Sequence, residues 1–192
     1  MLSIQQIISE ADIRVPNPFD SAQKIAWINE VNNEFFEIVR MPKVHRFLLI
    51  GGTDTYAMPP TMQSQLVELV RSQSILYKSL QYEVVSPGHS SWVLDDDTNK
   101  LLLSPRPTLS GEGLVLYRKQ AETTFLLSNL TARPDAPSKY HFAYILGLCE
   151  RIAKTMNDVT LANNYASDYR NQLALAQEEY RNRSELRGEA SG

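Results

Sequence analysis

The stretch 92–117, WVLDDDTNKLLLSPRPTLSGEGLVLY, constrains the fold most, because three short apolar runs alternate in it with turn chemistry. Trp92, Val93 and Leu94 run up to a polar turn, Asp95-Asp96-Asp97-Thr98-Asn99, and Leu101, Leu102 and Leu103 run back. Pro105 and Pro107 stop the second run, since proline has no N–H to give to a ladder. Gly111 and Gly113 bend the chain into Leu114-Val115-Leu116-Tyr117. The pattern predicts a hairpin followed by a third strand, together a small antiparallel sheet. Helical patterns lie on both sides of it, so the residues alone describe a structural α+β domain.

Ser3 can cap a short helix with Ile4, Ile7 and Ile8 on one side. Val15-Pro16-Asn17-Pro18 breaks it, and Asp20 or Ser21 caps the next helix. There Ile25, Ile28, Val31, Phe35, Ile38 and Val39 form one apolar stripe, with Trp27 off its centre as a core-edge residue. Met41-Pro42 ends the helix. Residues 46–50 read as a strand, Gly51-Gly52 as a turn and 53–58 as its returning partner. Thr61 then caps a helix with Met62, Leu66, Val67 and Val70 on one face, and 75–85 reads as extended before a loop at 86–90. The segment 118–139 is polar and marked by Pro134 and Pro137. From Ser138 an amphipathic helix carries Tyr140, Phe142, Ile145, Leu146, Cys149, Ile152, Ala153 and Met156. Asn157-Asp158 interrupts it. A second helix carries Leu161, Ala162, Tyr165, Tyr169, Leu173, Ala176 and Tyr180 at spacings of three and four, suited to a partner helix. The end, 181–192, is polar and small, and alone it reads as disordered.

The 192 residues suit one domain, and their formal net charge of −3 gives no basic field that recruits nucleic acid. The single cysteine, Cys149, allows no internal disulfide and reads as a small core residue. The N-terminus lacks the basic start and apolar run of a signal peptide, and no apolar run reaches the ~20 residues of a membrane span. Asp95, Asp96, Asp97 and Asn99 lack the glycine and distant glutamate of a calcium loop, so they read as a solvated hairpin tip. His45, His89 and His141 fall on different elements with no zinc pairing; His141 reads as a helix-start contact. No GxSxG elbow or phosphate loop is present. Arg40, Lys43, Arg46, Arg118 and Lys119 read as exposed element ends. No metal or cofactor is expected.

Five stretches in order resemble the head–tail adaptor (head-completion, or connector) proteins of tailed bacteriophages. They are Trp27-Ile28-Asn29-Glu30; Tyr56-Ala57-Met58-Pro59 with the predicted helix behind it; Val93-Leu94 with the turn and Leu101 to Pro107; Gly111, Gly113, Leu114, Leu116 and Tyr117; and Pro137-Ser138-Lys139-Tyr140-His141 opening two long helices. The resemblance covers about 20–180, and the irregular stretch 118–134 departs from the family's short link. It implies a mainly helical α+β fold: a small helix bundle, helical over 1–42 and 138–180, with an inserted antiparallel sheet at about 46–118. A long C-terminal helix and an extended tail at 181–192 would complete it.

It implies further a non-enzymatic virion protein of the neck, assembled in the host cytoplasm. Copies would form a ring of about twelve between the portal and the tail, stopper or nozzle, with genomic DNA passing without sequence-specific binding. The portal-binding residues would be Tyr169, Leu173, Tyr180, Arg181, Arg183, Leu186 and Arg187. The tail-side or inter-subunit loops would be Gly51, Gly52, Asp95, Asp96, Asp97 and Asn99. A ring would also cover sheet edges and apolar rims that one copy leaves open. Two competing readings are a virion-associated cell-wall hydrolase, with Glu30, Glu34 and Glu37 as candidate acids, and a nucleic-acid-binding module, against which the acidic balance weighs.

Overall fold

The computed structural model describes residues 1–72, 75–81 and 88–189, with side chains described through Arg181. The chain divides into two compact units, Met1–Met41 with Gln120–Gly192, and Pro42–Lys119.

The first unit holds four helices: α1 (Ile4–Arg14), α2 (Ser21–Val39), α3 (His141–Thr155) and α4 (Val159–Glu189). Their ends follow local chemistry. The Gln6 amide donates to Ser3 Oγ at 3.3 Å while Ser3 N donates back to Gln6 Oε1 at 2.9 Å, a complete capping box on α1. Asp20, not Ser21, caps α2, accepting from Gln23 N at 2.8 Å. Asn157 at φ 60° breaks the chain between α3 and α4. The α2 stripe of Ile25, Ile28, Val31, Phe35 and Val39 is buried against Tyr144, Leu148 and Ile152 of α3, and Leu173 and Ala176 of α4 join the same core. Cys149 lies in it, its thiol pushed up to about 12 by burial.

The proline-marked segment after Lys119 is ordered by two asparagines of α2. Asn29 makes a reciprocal pair with the Phe125 backbone: Phe125 N donates to Oδ1 at 2.8 Å, and Nδ2 donates to the Phe125 carbonyl at 3.1 Å. Asn32, buried, donates to Asp135 Oδ2 at 2.9 Å and to the Thr123 carbonyl at 3.3 Å, and accepts from the Tyr144 hydroxyl at 2.6 Å. Asp135 also accepts from the Glu122 and Thr123 amides, each at 2.8 Å, and from the Thr123 hydroxyl at 2.6 Å. Burial pushes the Asp135 carboxyl up, but these bonds to its charged form outweigh burial and hold it below the ordinary carboxylate value.

The second unit is a seven-stranded sheet. Its strands are β1 (Pro42–Leu49), β2 (Thr55–Ala57), β3 (Val67–Ser72), β4 (Ile75–Ser79), β5 (Ser91–Asp95), β6 (Lys100–Ser104) and β7 (Gly111–Arg118), in the order β1-β7-β3-β4-β5-β6-β2. All neighbours are antiparallel except β4 and β5, which run parallel. The end strands β1 and β2 are consecutive in sequence and joined by 50–54, so the sheet curls into a nearly closed, barrel-like form. Leu49, Tyr56, Met62, Val70, Trp92, Leu94, Leu101 and Val115 fill its inside. Gly113 is required there: a Cβ would meet the Phe47 ring at 2.3 Å.

This architecture corrects the expected fold. The protein is not a mainly helical bundle with a small antiparallel insertion, but four helices and a large mixed sheet. The hairpin β5–β6 forms as predicted, with Trp92 opposite Leu103, but β7 pairs with β1 and β3 and not with β6. The Gly51-Gly52 turn does not close a hairpin, since β1 takes β7 and β2 takes β6. The predicted helix after Thr61 is a single 3-10 turn, Ser64–Leu66, followed by strand β3. Val67, Leu69 and Val70 gain more by laddering with β7 than by a short helix behind Pro59-Pro60. The helix expected to stop near Tyr180 continues as α4 to Glu189, because Arg, Glu and Leu there are good helix formers. The extended tail expected from 181 is therefore helical as far as Glu189; residues 190–192, and the 82–87 part of the expected strand and loop, lie outside the described residues.

Asp135→Ala will strip four donors of their acceptor and lower the stability of the helical unit by about 2–3 kcal/mol, read from denaturant unfolding followed by helix signal. His141 supplies a pH test. Its Nδ1 accepts from Leu2 N at 3.1 Å, and its Nε2 donates to the Ala136 carbonyl at 3.1 Å, so the neutral ring is used. Burial first, then the N-terminal amine and Arg133, hold its pKa below the ordinary 6.5. The unfolded chain therefore takes up the proton at a higher pH than the folded one. Stability will be intact above about pH 6.5 and fall as pH drops below it. Thermal melts at about pH 7.5 and 5.5 will show the loss, and His141→Gln will flatten it.

Candidate functional site

Two polar clusters hold elements of the fold together. Arg151 of α3, only 15% exposed in its side chain, donates from Nη2 to Glu34 at 2.7 Å and from Nε to Glu30 at 3.1 Å, both on α2. Its Nη1 reaches Glu150 at 3.2 Å and the Gly147 carbonyl at 3.1 Å. The Tyr169 hydroxyl of α4 adds a 3.4 Å bond to Glu34. Burial works against the guanidinium's charge, and Glu34 and Glu30 outweigh it, so Arg151 is bound more firmly to its proton. The result ties α2, α3 and α4 together beside a cleft of about 370 Å³ that Trp27, Lys154 and Thr155 also line. Two of the hydrolase reading's three acids, Glu30 and Glu34, are thus partners of one arginine, and Glu37 lies exposed on α2.

The acidic turn is likewise occupied. Asp95 accepts from the Thr98 hydroxyl at 2.6 Å and the Asp97 amide at 3.0 Å, which hold its carboxyl below the ordinary value. Asp96 accepts from Ser64 N at 2.7 Å and Ser64 Oγ at 2.6 Å. Asn99 takes the left-handed position of the turn, at φ 52°. Among the described residues, no group of three or more His, Cys, Asp and Glu side chains is placed to hold a metal.

The structure separates the two expected loop sites. β2 runs antiparallel to β6, with Ala57 beside Lys100 and Thr55 beside Leu102. The Asp95–Asn99 turn therefore lies at one end of this pair, and Gly51-Gly52 lies at the other, where Gly52 N donates to the Pro107 carbonyl at 2.8 Å. Gly51 N donates to Ser110 Oγ at 3.0 Å, and a Cβ on Gly51 would stand 2.8 Å from the Thr108 carbonyl oxygen. The 50–54 loop is thus in contact with the 105–110 loop between β6 and β7, and Leu48, Ile50 and Leu109 are exposed around them. Sequence reasoning missed these three. The signal was the unbroken run Phe47-Leu48-Leu49-Ile50: with Leu49 inside, the strand period turns Leu48 and Ile50 outward.

The expected portal residues divide too. Tyr169 and Leu173 are 2% and 1% exposed and belong to the helical core, so they seat α4 and offer no contact surface. Tyr180 is half-buried, its ring 6.2 Å from that of Tyr140. Glu179 accepts from the Tyr140 hydroxyl at 2.6 Å and pairs with Lys139. Arg181 is exposed; Arg183, Leu186 and Arg187 lie on the helical backbone of α4, with side chains outside the described residues.

The polar clusters described brace the fold, and exposed apolar residues group around the 50–54 loop. The chain belongs to the SU10 adaptor protein family, whose model matches residues 2–189. No curated protein matches it. It is a phage head–tail adaptor: a structural protein of the virion neck that associates with other head and tail proteins. No described helix is long and apolar enough to cross a membrane.

Arg151→Met will leave Glu30, Glu34 and Glu150 facing one another and cost about 2 kcal/mol, discounted for the exposure of Glu30. Chemical denaturation of the variant, with Glu34→Gln restored beside it, will show part of the loss recovered.

Proposed function

We propose that copies of this chain assemble as a ring, of about twelve, on the outer end of the portal. The ring extends the DNA channel and offers its far side to a stopper, nozzle or tail protein. Assembly proceeds by shape and by ordering of the chain's end, with no covalent chemistry.

The observation that carries this reading is the length of α4. The last residue of α4 to join the described core is Tyr180, clasped beside Glu179 by Tyr140 and Lys139. The helix then runs nine residues further, to Glu189, about 13 Å at 1.5 Å per residue. Arg181, Arg183 and Arg187 interleave there with Glu185 and Glu189, a pattern suited to a polar surface on another protein. The portal is the partner assigned to this arm, with Tyr180, Arg181, Arg183, Leu186 and Arg187 as its contacts. The apolar end of the sheet unit, Leu48, Ile50 and Leu109 around Gly51 and Gly52, is assigned to the tail side. It is better suited than the Asp95–Asn99 turn, whose Asp95 and Asp96 carboxylates are already engaged. The net charge of −3 fits a channel wall that lets DNA slide past without holding it.

A chain ending at Tyr180 will keep its fold, because its core is complete, and will fail to decorate portal-bearing heads in electron micrographs. Full decoration by the truncated chain would overturn the assignment of α4 to the portal.

A further inference from the structure

The end of α4 can meet a partner only if it points the right way, and the residues at its root show how it is aimed. Leu173 and Ala176, 1% and 0% exposed, are the last buried residues of α4. From 177 to 189 the helix then runs about 20 Å at 1.5 Å per residue. A stretch that short is marginal as a helix without tertiary support. A swing of about 20° at Ala176 would carry its tip by about 7 Å at the same rise per residue.

Two separate elements grip this root. Gln177 Nε2 donates to the Ile38 carbonyl at 3.0 Å, in the last turn of α2, where a helix leaves its own carbonyls unpaired. Glu179 accepts from the Tyr140 hydroxyl at 2.6 Å, and both its carboxylate oxygens accept from Lys139 Nζ. Lys139 and Tyr140 belong to the 3-10 turn Ser138–Tyr140 that leads into α3. Tyr140 is itself buried, its ring 5.6 Å from that of Phe35, so this grip is founded in the core. Burial, then the bond to Glu179, pushes its hydroxyl above the ordinary tyrosine value and keeps it a donor. The Tyr180 ring adds a contact 6.2 Å from the Tyr140 ring.

We propose that Lys139, Tyr140 and Gln177 are positioning residues, which fix the direction of the end of α4 so that it meets the portal already aimed. The inference rests on the portal reading, and it names what prepares that site for docking. The grip moves the last fixed point of the helix from Ala176 to Tyr180. An end that points correctly a tenth of the time binds with about a tenth of the affinity, and a fixed root removes that loss.

Spin-label distances on the full chain test the aim without the portal. Ala22→Cys, exposed at the start of α2, and Ser184→Cys on α4 carry the labels, and the buried Cys149 takes none. The distance distribution will be narrow. Glu179→Ala will broaden it and move the thermal melt by only a few degrees, because a partly exposed ion pair adds little stability. Exchanging the pair, Lys139→Glu with Glu179→Lys, will narrow it again. On portal-bearing heads, Glu179→Ala will weaken binding about tenfold, read as the fraction of heads decorated across a concentration series, and the exchanged pair will recover it. A distribution that is broad in the parent chain, that Glu179→Ala leaves narrow, or that the exchange leaves broad would overturn the grip. Broadening without weaker binding would sink the positioning role and leave the portal reading standing. A parent chain that ignores the portal would sink both.

Discussion

A buried primary amide must find partners for two donors and one acceptor, and Asn32 finds all of them across the helical unit. Its Nδ2 serves Asp135 and Thr123, and its Oδ1 takes the Tyr144 hydroxyl. The cost of leaving such a group unpaired makes the network all-or-nothing. Asp135 extends it to the amides of residues 122 and 123, so one cluster holds α2, α3 and the returning chain in one arrangement. Together with the Asn29–Phe125 pair and the Ile4 and Gln5 amides, it holds the segment before α3, which belongs to no strand ladder.

The sheet unit obeys a different constraint. Seven strands can leave two long edges, and an open edge is a template for unwanted pairing. Here the end strands are neighbours in sequence, and the loop at 50–54 brings β2 back alongside β6. Curling the sheet gives one inside, filled by Tyr56, Met62, Trp92 and Leu101 among others. Apolar residues left outside it include Leu48, Ile50, Leu76, Leu80, Leu102 and Leu109.

For an adaptor, this division is functional. The hydrogen-bonded interiors leave loop ends and the part of α4 beyond its clasp at Glu179 outside the core. Arg151 serves the bracing: Glu30 and Glu34, candidate acids only in the competing hydrolase reading, become ties from α2 to α3.

Local pattern alone determined the cap at Ser3, the apolar stripe of α2, the break at Asn157, and the β5–β6 hairpin, and it narrowed the α2 cap to Asp20 or Ser21, because each depends on residues within a few positions of one another. The order and spacing of short stretches also carried the family. Tertiary structure decided what depends on distant partners. Strand β3 reads as a helix until β7 is available to pair with it, and β7 reads as β6's neighbour until β1 takes its edge. Tyr169 and Leu173 have the spacing of a partner-helix face, and only the fold shows that α2 and α3 are the partners that cover them. Asp135, 103 residues from Asn32, carries no local mark at all. Helical spacing and hairpin turns are short-range energies visible in sequence; strand partners and burial are settled by contacts between residues far apart in the chain, and only the folded structure supplies those.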